Sequence, residues 1–432
     1  MTSSRSERGV EGRALGLAGR RLVAGALVAC AVSIIVPRAE AKEIEPVGRG
    51  AKRYFAPPAV GAEDEFLRDS LARGLYDLVA RLSREAGKSV PRADARLCAL
   101  ADTLADNLGS DDVPGIELQD FLASHYGLGD PLPELSMFQV GMDDDGIRDK
   151  FARSLPRSLR GQPFGRVGVG VHRSFWGKTS VVVALQRTDV ELLPIPRELG
   201  VGESALVAGR LLLGRRDPAV LVAPPHGEVE TLAVRGDASG FQTSFRCNAG
   251  PGRYQVEIEG TSYDGKSLVA NFPVFCGVAP PRSAPLQPYS TPETSDARKA
   301  EGLALEAINR DRAAVGLAAV AWDEALARAA RGYSDELARR QVVEHVSRES
   351  GDAVDRIRRA GARAIVVYEN VGRANSIADA ERSFMSSPSH RMNILARQAV
   401  RVGVGVTFRR ESGRGGNEAE VPTLYVTQIF AR

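Results

Sequence analysis

Cysteine is scarce in this chain: four in 432 residues, none in a CxxC pair or at zinc-ribbon spacing. That excludes a disulfide-dense scaffold and a cysteine-rich metal knuckle. There is no HExxH on a helical pattern, so the usual zinc-protease signature is missing. Aromatic residues reach only 6%, and there are five histidines. Long low-complexity tracts are absent. Charge of one sign is lacking too: the net charge is +3, and the first 41 residues, with six Arg against three acidic residues, account for it. Beyond them 51 basic residues face 51 acidic ones. A neutral chain has no electrostatic footprint for nucleic acid or for an anionic membrane.

What is present is a globular composition, 43% hydrophobic and 26% charged, at a length that accommodates two to four domains. The N-terminus carries Arg5, Arg8, Arg13, Arg20 and Arg21, then the apolar run Leu22–Val36, then Ala39-Glu40-Ala41. This is the order of an export signal, with cleavage expected after Ala41. Fifteen apolar residues give about 22 Å of helix, short of the ~30 Å hydrocarbon core, so no transmembrane anchor is expected in the mature chain. Leu27-Val28-Ala29-Cys30 offers an alternative, lipidation at Cys30, although Ala31–Val36 stays apolar where a polar tether is usual. Arg20-Arg21 also allows a twin-arginine signal. Each route leads out of the cytoplasm, to an extracellular or periplasmic, envelope-associated location. In such an oxidising compartment Cys247 and Cys276, both within one β-rich segment, are the natural disulfide pair. Cys98 lies in the helical pattern Leu97–Ala101 and reads as a buried small hydrophobe.

Residues 190–278 differ from their flanks. Short β-rich runs (Ser204–Leu213, Ala219–Val222, Val229–Val234, Gln242–Arg246, Tyr254–Ile258, Leu268–Phe275) alternate with Gly/Pro/Asp turns, the pattern of an antiparallel, immunoglobulin-like β-sandwich. A Pro-rich linker without apolar periodicity follows, 279–294. The flanks resemble each other. Arg166-Val167-Gly168-Val169-Gly170-Val171 recurs as Arg401-Val402-Gly403-Val404-Gly405-Val406, and Gly87–Leu97 matches Gly316–Leu326 with Asp94 and Asp323 in register. The spacing from that glycine to the hexamer is 79 residues in one flank and 85 in the other. Order and spacing together predict an internal duplication. Each copy is expected to run helix, turn, helix, irregular middle, helix and two closing strands.

In the second copy, Asp296 and neighbours offer N-caps for one helix, and Trp322-Asp323 opens another. The apolar face of the latter is Leu326, Ala327, Ala330, Tyr333, Ser334, Leu337 and Ala338, with Arg328, Arg331, Arg339 and Arg340 expected in solvent. Val402–Phe408 and Thr423–Phe430 read as an antiparallel pair joined by a Gly/Arg-rich loop, 412–417. Gly403 and Gly405 remove Cβ atoms from one strand face, so another element can approach closely. Between these elements lie His345-x-Ser347, Glu369-Asn370 and Ser387-Pro388-Ser389-His390-Arg391-x-Asn393.

The ordered set Asn309-x-x-Arg312, Gly316-Leu317, Trp322, His345-x-Ser347, Arg356, Gly361, Glu369-Asn370, Ser387-Pro388-Ser389-His390, Gly403-Val404-Gly405 and Thr427-Gln428-x-Phe430 resembles the CAP superfamily (cysteine-rich secretory, antigen 5 and pathogenesis-related proteins) in its bacterial SCP-domain form. The resemblance covers about 295–432. It implies an α-β-α sandwich with a cleft lined by two His and one or two Glu. His345, Glu369 and His390 match that cluster, and Asn370 and Ser387 fall beside it. The second family glutamate falls near Ser387, where no acid stands. Tyr368 replaces a usual Gly, Phe384 a usual Trp, and Ser389 a usual Gly. Two imidazoles and a carboxylate are a reasonable set for Zn²⁺ or another divalent metal. The rival reading has His345 and His390 only hydrogen-bonded across the cleft to Glu369. Ser386, Ser387 and Ser389 near His390 suggest a cap and turn rather than a nucleophile, and Asn370 is expected to bond loop backbone.

In the first copy, aligning Val140-Gly141 with Val371-Gly372 sets Phe138 opposite Glu369, and Ser158 opposite His390. His125 reads as a surface or turn histidine, so this half keeps the scaffold and loses the polar cluster. The expected architecture is α+β: export signal 1–41, degenerate CAP-like domain 60–188, β-sandwich 190–278, linker 279–294 and CAP domain 295–432. The expected function is a non-enzymatic module binding an envelope lipid, glycan or protein; the alternative is a metal-assisted, peptidase-like hydrolase in the same cleft, and a third reading is a spacer.

Overall fold

In the computed structural model, residues 42–432 are described except 110–113, 142, 162, 264, 287–290 and 413–419. The expected export signal, Cys30 and nearly all of the 412–417 loop lie outside the described residues. The architecture is α+β. Helices are α1 (Ser70–Glu85), α2 (Ala95–Asn107), α3 (Ile116–His125), α4 (Asp144–Arg160), α5 (Ala297–Ala314), α6 (Glu324–Arg340), α7 (Ala353–Arg359), α8 (Ile377–Ser386) and α9 (Pro388–Ile394).

Two four-stranded sheets have one strand order. The N-terminal one runs Arg92–Ala93, Arg166–Arg173, Thr179–Gln186, Glu134–Val140; the C-terminal one runs Ala321–Trp322, Arg401–Ser412, Glu420–Ala431, Val367–Ala374. In each the first pairing is parallel and the others antiparallel. Strands Glu134–Val140 and Val367–Ala374 occupy what the sequence suggested was an irregular middle. Helices cover both faces, as sheets buried on two sides require. On the N-terminal sheet, α1 and α4 pack Leu71, Leu75, Ile147 and Phe151 against Val169 and Val183. On its opposite face, α2 and α3 bring Leu97, Leu104, Leu118 and Leu122 against Val182 and Ala184. On the C-terminal sheet, α5, α8 and α9 set Ala304, Ile308, Phe384 and Ile394 against Val402, Val404 and Val426. The other face takes α6 and α7, through Leu326, Ala330 and Ile357.

The repeated hexamer accounts for the closest of these approaches. A Cβ on Gly405 would stand 2.3 Å from the Ala330 carbonyl carbon, and one on Gly170 2.3 Å from that of Ala101. No side chain fits there, so α6 and α2 lie directly on their strands. The hexamer's arginine is also placed alike: Arg401 bonds Asp323 at 2.6 Å and Arg166 bonds Asp94 at 3.3 Å. Both aspartates are N-caps, of α6 and α2. The whole predicted apolar face of α6 is buried. Arg331 departs from expectation, because its guanidinium bonds Glu301 of α5 at 2.7 and 2.8 Å instead of facing solvent.

Between the two α/β parts stand a four-stranded sheet (Arg235–Asp237, Gly240–Arg246, Ser204–Leu211, Val190–Leu192) and a five-stranded one (Glu230–Leu232, Arg216–Ala223, Gly252–Ser262, Gly265–Cys276, Glu198–Leu199). They enclose a core that includes Val207, Phe245, Val256 and Phe272. Cys247 is bonded to Cys276, Cα atoms 5.7 Å apart, tying the end of one sheet to the end of the other. Cys98 is free and buried.

Two expectations change here. The Pro-rich segment is not a bare linker: Ala284–Pro285 pairs antiparallel with Glu43–Ile44. His125 is not a surface histidine but 7% exposed at the end of α3, where its carbonyl accepts from Ala51 and burial beside Arg197 holds its pKa down. The cause is docking of this half onto the sandwich, which also buries Tyr54 with its hydroxyl 2.7 Å from Ser124.

Candidate functional site

Helix α6 ends at Gln341, whose left-handed backbone (φ 56°) turns the chain back over the sheet. The Tyr333 hydroxyl donates to the Glu344 carbonyl at 2.6 Å and fixes the returning segment, so His345 stands above strand Val367–Ala374. Its Nδ1 lies 3.1 Å from Glu369 Oε1. A carboxylate only accepts, so this nitrogen donates the bond.

Glu369 is 6% exposed, and a carboxylate so buried needs a cation. Arg356 of α7 supplies it, Nη2 to Oε2 at 2.5 Å. The same guanidinium donates to the His345 carbonyl at 3.1 Å and lies over the Tyr333 ring, 3.4 Å from its centroid. Arg356 therefore pins Glu369, the His345 segment and Tyr333 together. It stood in the sequence pattern, with nothing there to give it a role.

The His390 ring lies 6.5 Å from that of His345 and 5.1 Å from Phe384. Burial first, then His345, push the His390 pKa down to about 3, so the ring is neutral at physiological pH. Its Nδ1 lies 2.9 Å from Ser387 Oγ. Asn370 holds the two walls together, donating to the His390 carbonyl at 3.2 Å and to Gln428 at 3.0 Å while accepting from Asn393 at 2.9 Å. Ser386 faces away and bonds Ser383 within its own helix.

The structure thus brings His345, Glu369, Asn370, Ser387 and His390 close to one another. The expected zinc set does not fit this arrangement. Both Glu369 oxygens are engaged, one by a guanidinium whose charge opposes a metal ion. Among the described residues no group of three or more His, Cys, Asp or Glu is placed to hold a metal.

One side chain at the site comes from outside the C-terminal part. Glu257, on strand Gly252–Ser262 of the sandwich, accepts from Ser387 Oγ at 2.7 Å and from the Ser389 backbone N–H at 3.2 Å. It is 1% exposed, and burial pushes its pKa up to about 7. In sequence it alternates with Val256 and Ile258 and reads as the solvent face of a strand. Docking of the segment that opens α9 covers it at this position.

In the N-terminal sheet the register corrects the expected alignment. Ser136 pairs Val183, which pairs Val169; Asn370 pairs Gln428, which pairs Val404. Leu135, not Phe138, therefore occupies the place of Glu369. The Val-Gly dipeptide used to align the two strands lies three positions out of register, because the hydrogen-bond ladder and not local identity sets the pairing. His172 instead bonds Asp106 at 2.9 Å.

The sequence model of the cysteine-rich secretory protein family, CAP, matches residues 305–430. No curated protein matches the chain. Among solved structures, an extracellular protein containing a SCP domain from Bacillus anthracis is 16% identical, TM-score 0.28, covering 61% of this chain and 88% of its own. A cysteine-rich secretory protein from Staphylococcus aureus is 12% identical, TM-score 0.25, covering 53% and 75%. An outer surface protein from Borrelia burgdorferi is 15% identical, TM-score 0.27, covering 32% and 96%.

Proposed function

Since residues 305–430 match the cysteine-rich secretory protein family, CAP, we propose that this chain is an exported binding module whose C-terminal cleft holds a polar, uncharged component of the cell envelope, a glycan before a lipid or a protein. The observation that carries the reading is the locking of Glu369 between Arg356 and His345. A carboxylate held at both oxygens is a poor general base and a poor metal ligand, but it presets an imidazole for hydrogen bonding. The neutral ring of His390 and the paired charge of Glu369 suit hydroxyl and amide groups rather than ions.

Export is supported by the basic, apolar and Ala-x-Ala order of the first 41 residues and by the Cys247–Cys276 bond. We read 60–188 as a degenerate copy of the CAP domain. Its support is the shared strand order, the repeated Gly contacts and the paired Arg–Asp caps; with Leu135 in place of Glu369, that half is a scaffold.

The test is calorimetric binding of soluble cell-wall glycan fragments and of phospholipid vesicles, beside zinc analysis and peptidase assays. Binding of the glycan that weakens at least ~10-fold, about 1.4 kcal/mol, in His345→Ala and His390→Ala is expected. Zinc-dependent turnover lost in the same variants would replace the reading by the hydrolase, and absence of both binding and turnover by the spacer.

A further inference from the structure

We infer that Glu257 of the β-sandwich is a positioning residue of the C-terminal cleft: through Ser387 it dictates which nitrogen of His390 carries the proton. The chain of contacts is Glu257 Oε2, Ser387 Oγ, His390 Nδ1, with separations of 2.7 and 2.9 Å. A serine hydroxyl has one proton. Ser387 gives it to Glu257, so its oxygen can only accept from the imidazole. Ser389 Oγ, 3.3 Å away, has Glu257 as a second acceptor and takes no proton from Ser387. Nδ1 of His390 is therefore protonated, and Nε2 is left as the acceptor that meets a ligand's hydroxyl or amide N–H.

The device works because the carboxylate cannot turn. Its other oxygen is fixed by the Ser389 N–H at 3.2 Å. Its register neighbours, Leu221 and Asn271, bring no charge. Among the described residues, no Lys or Arg forms an ion pair with Glu257; the charges nearby are Glu259 on its own strand and, on α9, the neutral His390 and Arg391, which donates to the Gly227 carbonyl. If Glu257 takes up a proton, that proton sits on Oε2, since Oε1 faces an N–H. Oε2 then donates to Ser387, Ser387 donates to Nδ1, and the His390 proton passes to Nε2. The cleft nitrogen changes from acceptor to donor, with no change in the net charge of the imidazole.

Glu257→Gln copies the protonated state. Its carbonyl must face the Ser389 N–H, because an amide NH₂ there would oppose another donor, so the NH₂ faces Ser387. The experiment is long-range ¹H–¹⁵N spectroscopy of the ¹⁵N-histidine-labelled full chain at pH 8, with His390→Asn assigning the signal among five histidines. Native protein is expected to show Nδ1 as the protonated nitrogen of His390, Glu257→Gln to show Nε2, and Ser387→Ala a mixture. An unchanged His390 pattern in a Glu257→Gln protein of native circular dichroism overturns the inference, as does native protein protonated on Nε2. Should Glu257→Gln not fold, native protein titrated from pH 8.5 to 5.5 must show the same exchange, with its midpoint near the Glu257 value of about 7; a constant tautomer over that range overturns it equally. Only the choice of ligand group rests on the binding reading. The tautomer is measured without ligand, so the two fail separately.

Discussion

Arg356 and Glu369 are 3% and 6% exposed, and each is the other's reason for being buried. Removing one partner leaves an uncompensated interior charge, which costs about 3–5 kcal/mol. Arg356→Met is therefore expected to lower the stability of the C-terminal part by that amount in urea unfolding. A loss under 1 kcal/mol would mean that the pair is solvated. Zinc added to the native protein is not expected to raise its melting temperature, since the guanidinium already neutralises the carboxylate. Arg356→Met is the variant in which such binding would emerge.

At the scale of elements, glycines separate two kinds of contact. Gly405 lies where α6 presses on its strand, and a methyl group 2.3 Å from the Ala330 carbonyl carbon forces helix and sheet apart. Gly405→Ala is expected to cost about 1–3 kcal/mol or more, and Gly170→Ala to do the same between α2 and its strand. Gly302, inside α5, has nothing within 4 Å of its ideal Cβ position. Gly302→Ala should instead stabilise by about 0.5–1 kcal/mol, because helix propensity is then the only change. Thermal unfolding of the three variants decides the matter; equal signs for Gly405 and Gly302 would refute the packing account. Opening the Cys247–Cys276 bond, whose partners are 29 residues apart, is expected to cost about 2–4 kcal/mol, read as a drop in the melting temperature on reduction.

For the whole molecule, acid and base act on different sets of carboxylates. Burial raises Glu257 and Glu381 from 4.5 to about 7 each, and neither has a paired cation among the described residues. The unfolded chain ionises these groups first. Their contribution is thus fully present below about pH 4.5 and is lost as pH rises through about 7. Asp69, Asp94 and Asp323 are held below 3.8, after their burial, by Arg partners and helix N–H groups. Their contribution is lost only as pH falls through those lower values. The melting temperature is expected to rise as pH falls from 8 to 5.5, and the slope to flatten in Glu381→Gln. A melting temperature that falls steadily over this interval would show that both carboxylates are solvated or paired. Glu257 adds a connection between parts, because on the inference above its protonation sets the tautomer of His390.

The sequence by itself determined whatever is encoded at short range. The α6 face follows from helical spacing, the disulfide from two cysteines in one β-rich segment, and the close approach at Gly403 and Gly405 from missing Cβ atoms. His345, Glu369 and His390 were legible as a group because an ordered set of small motifs carries them. The tertiary structure alone decided what faces what. Glu257 sits on a strand whose alternation points it to solvent, and it is buried where Ser387 and α9 dock. His125 is buried for the same reason at the other junction, and Leu135 replaces Phe138 because ladder register follows sheet pairing rather than local identity. Periodicity assigns a residue to a face of its own element; which element covers that face depends on contacts between residues 130 positions apart, as at Glu257 and Ser387.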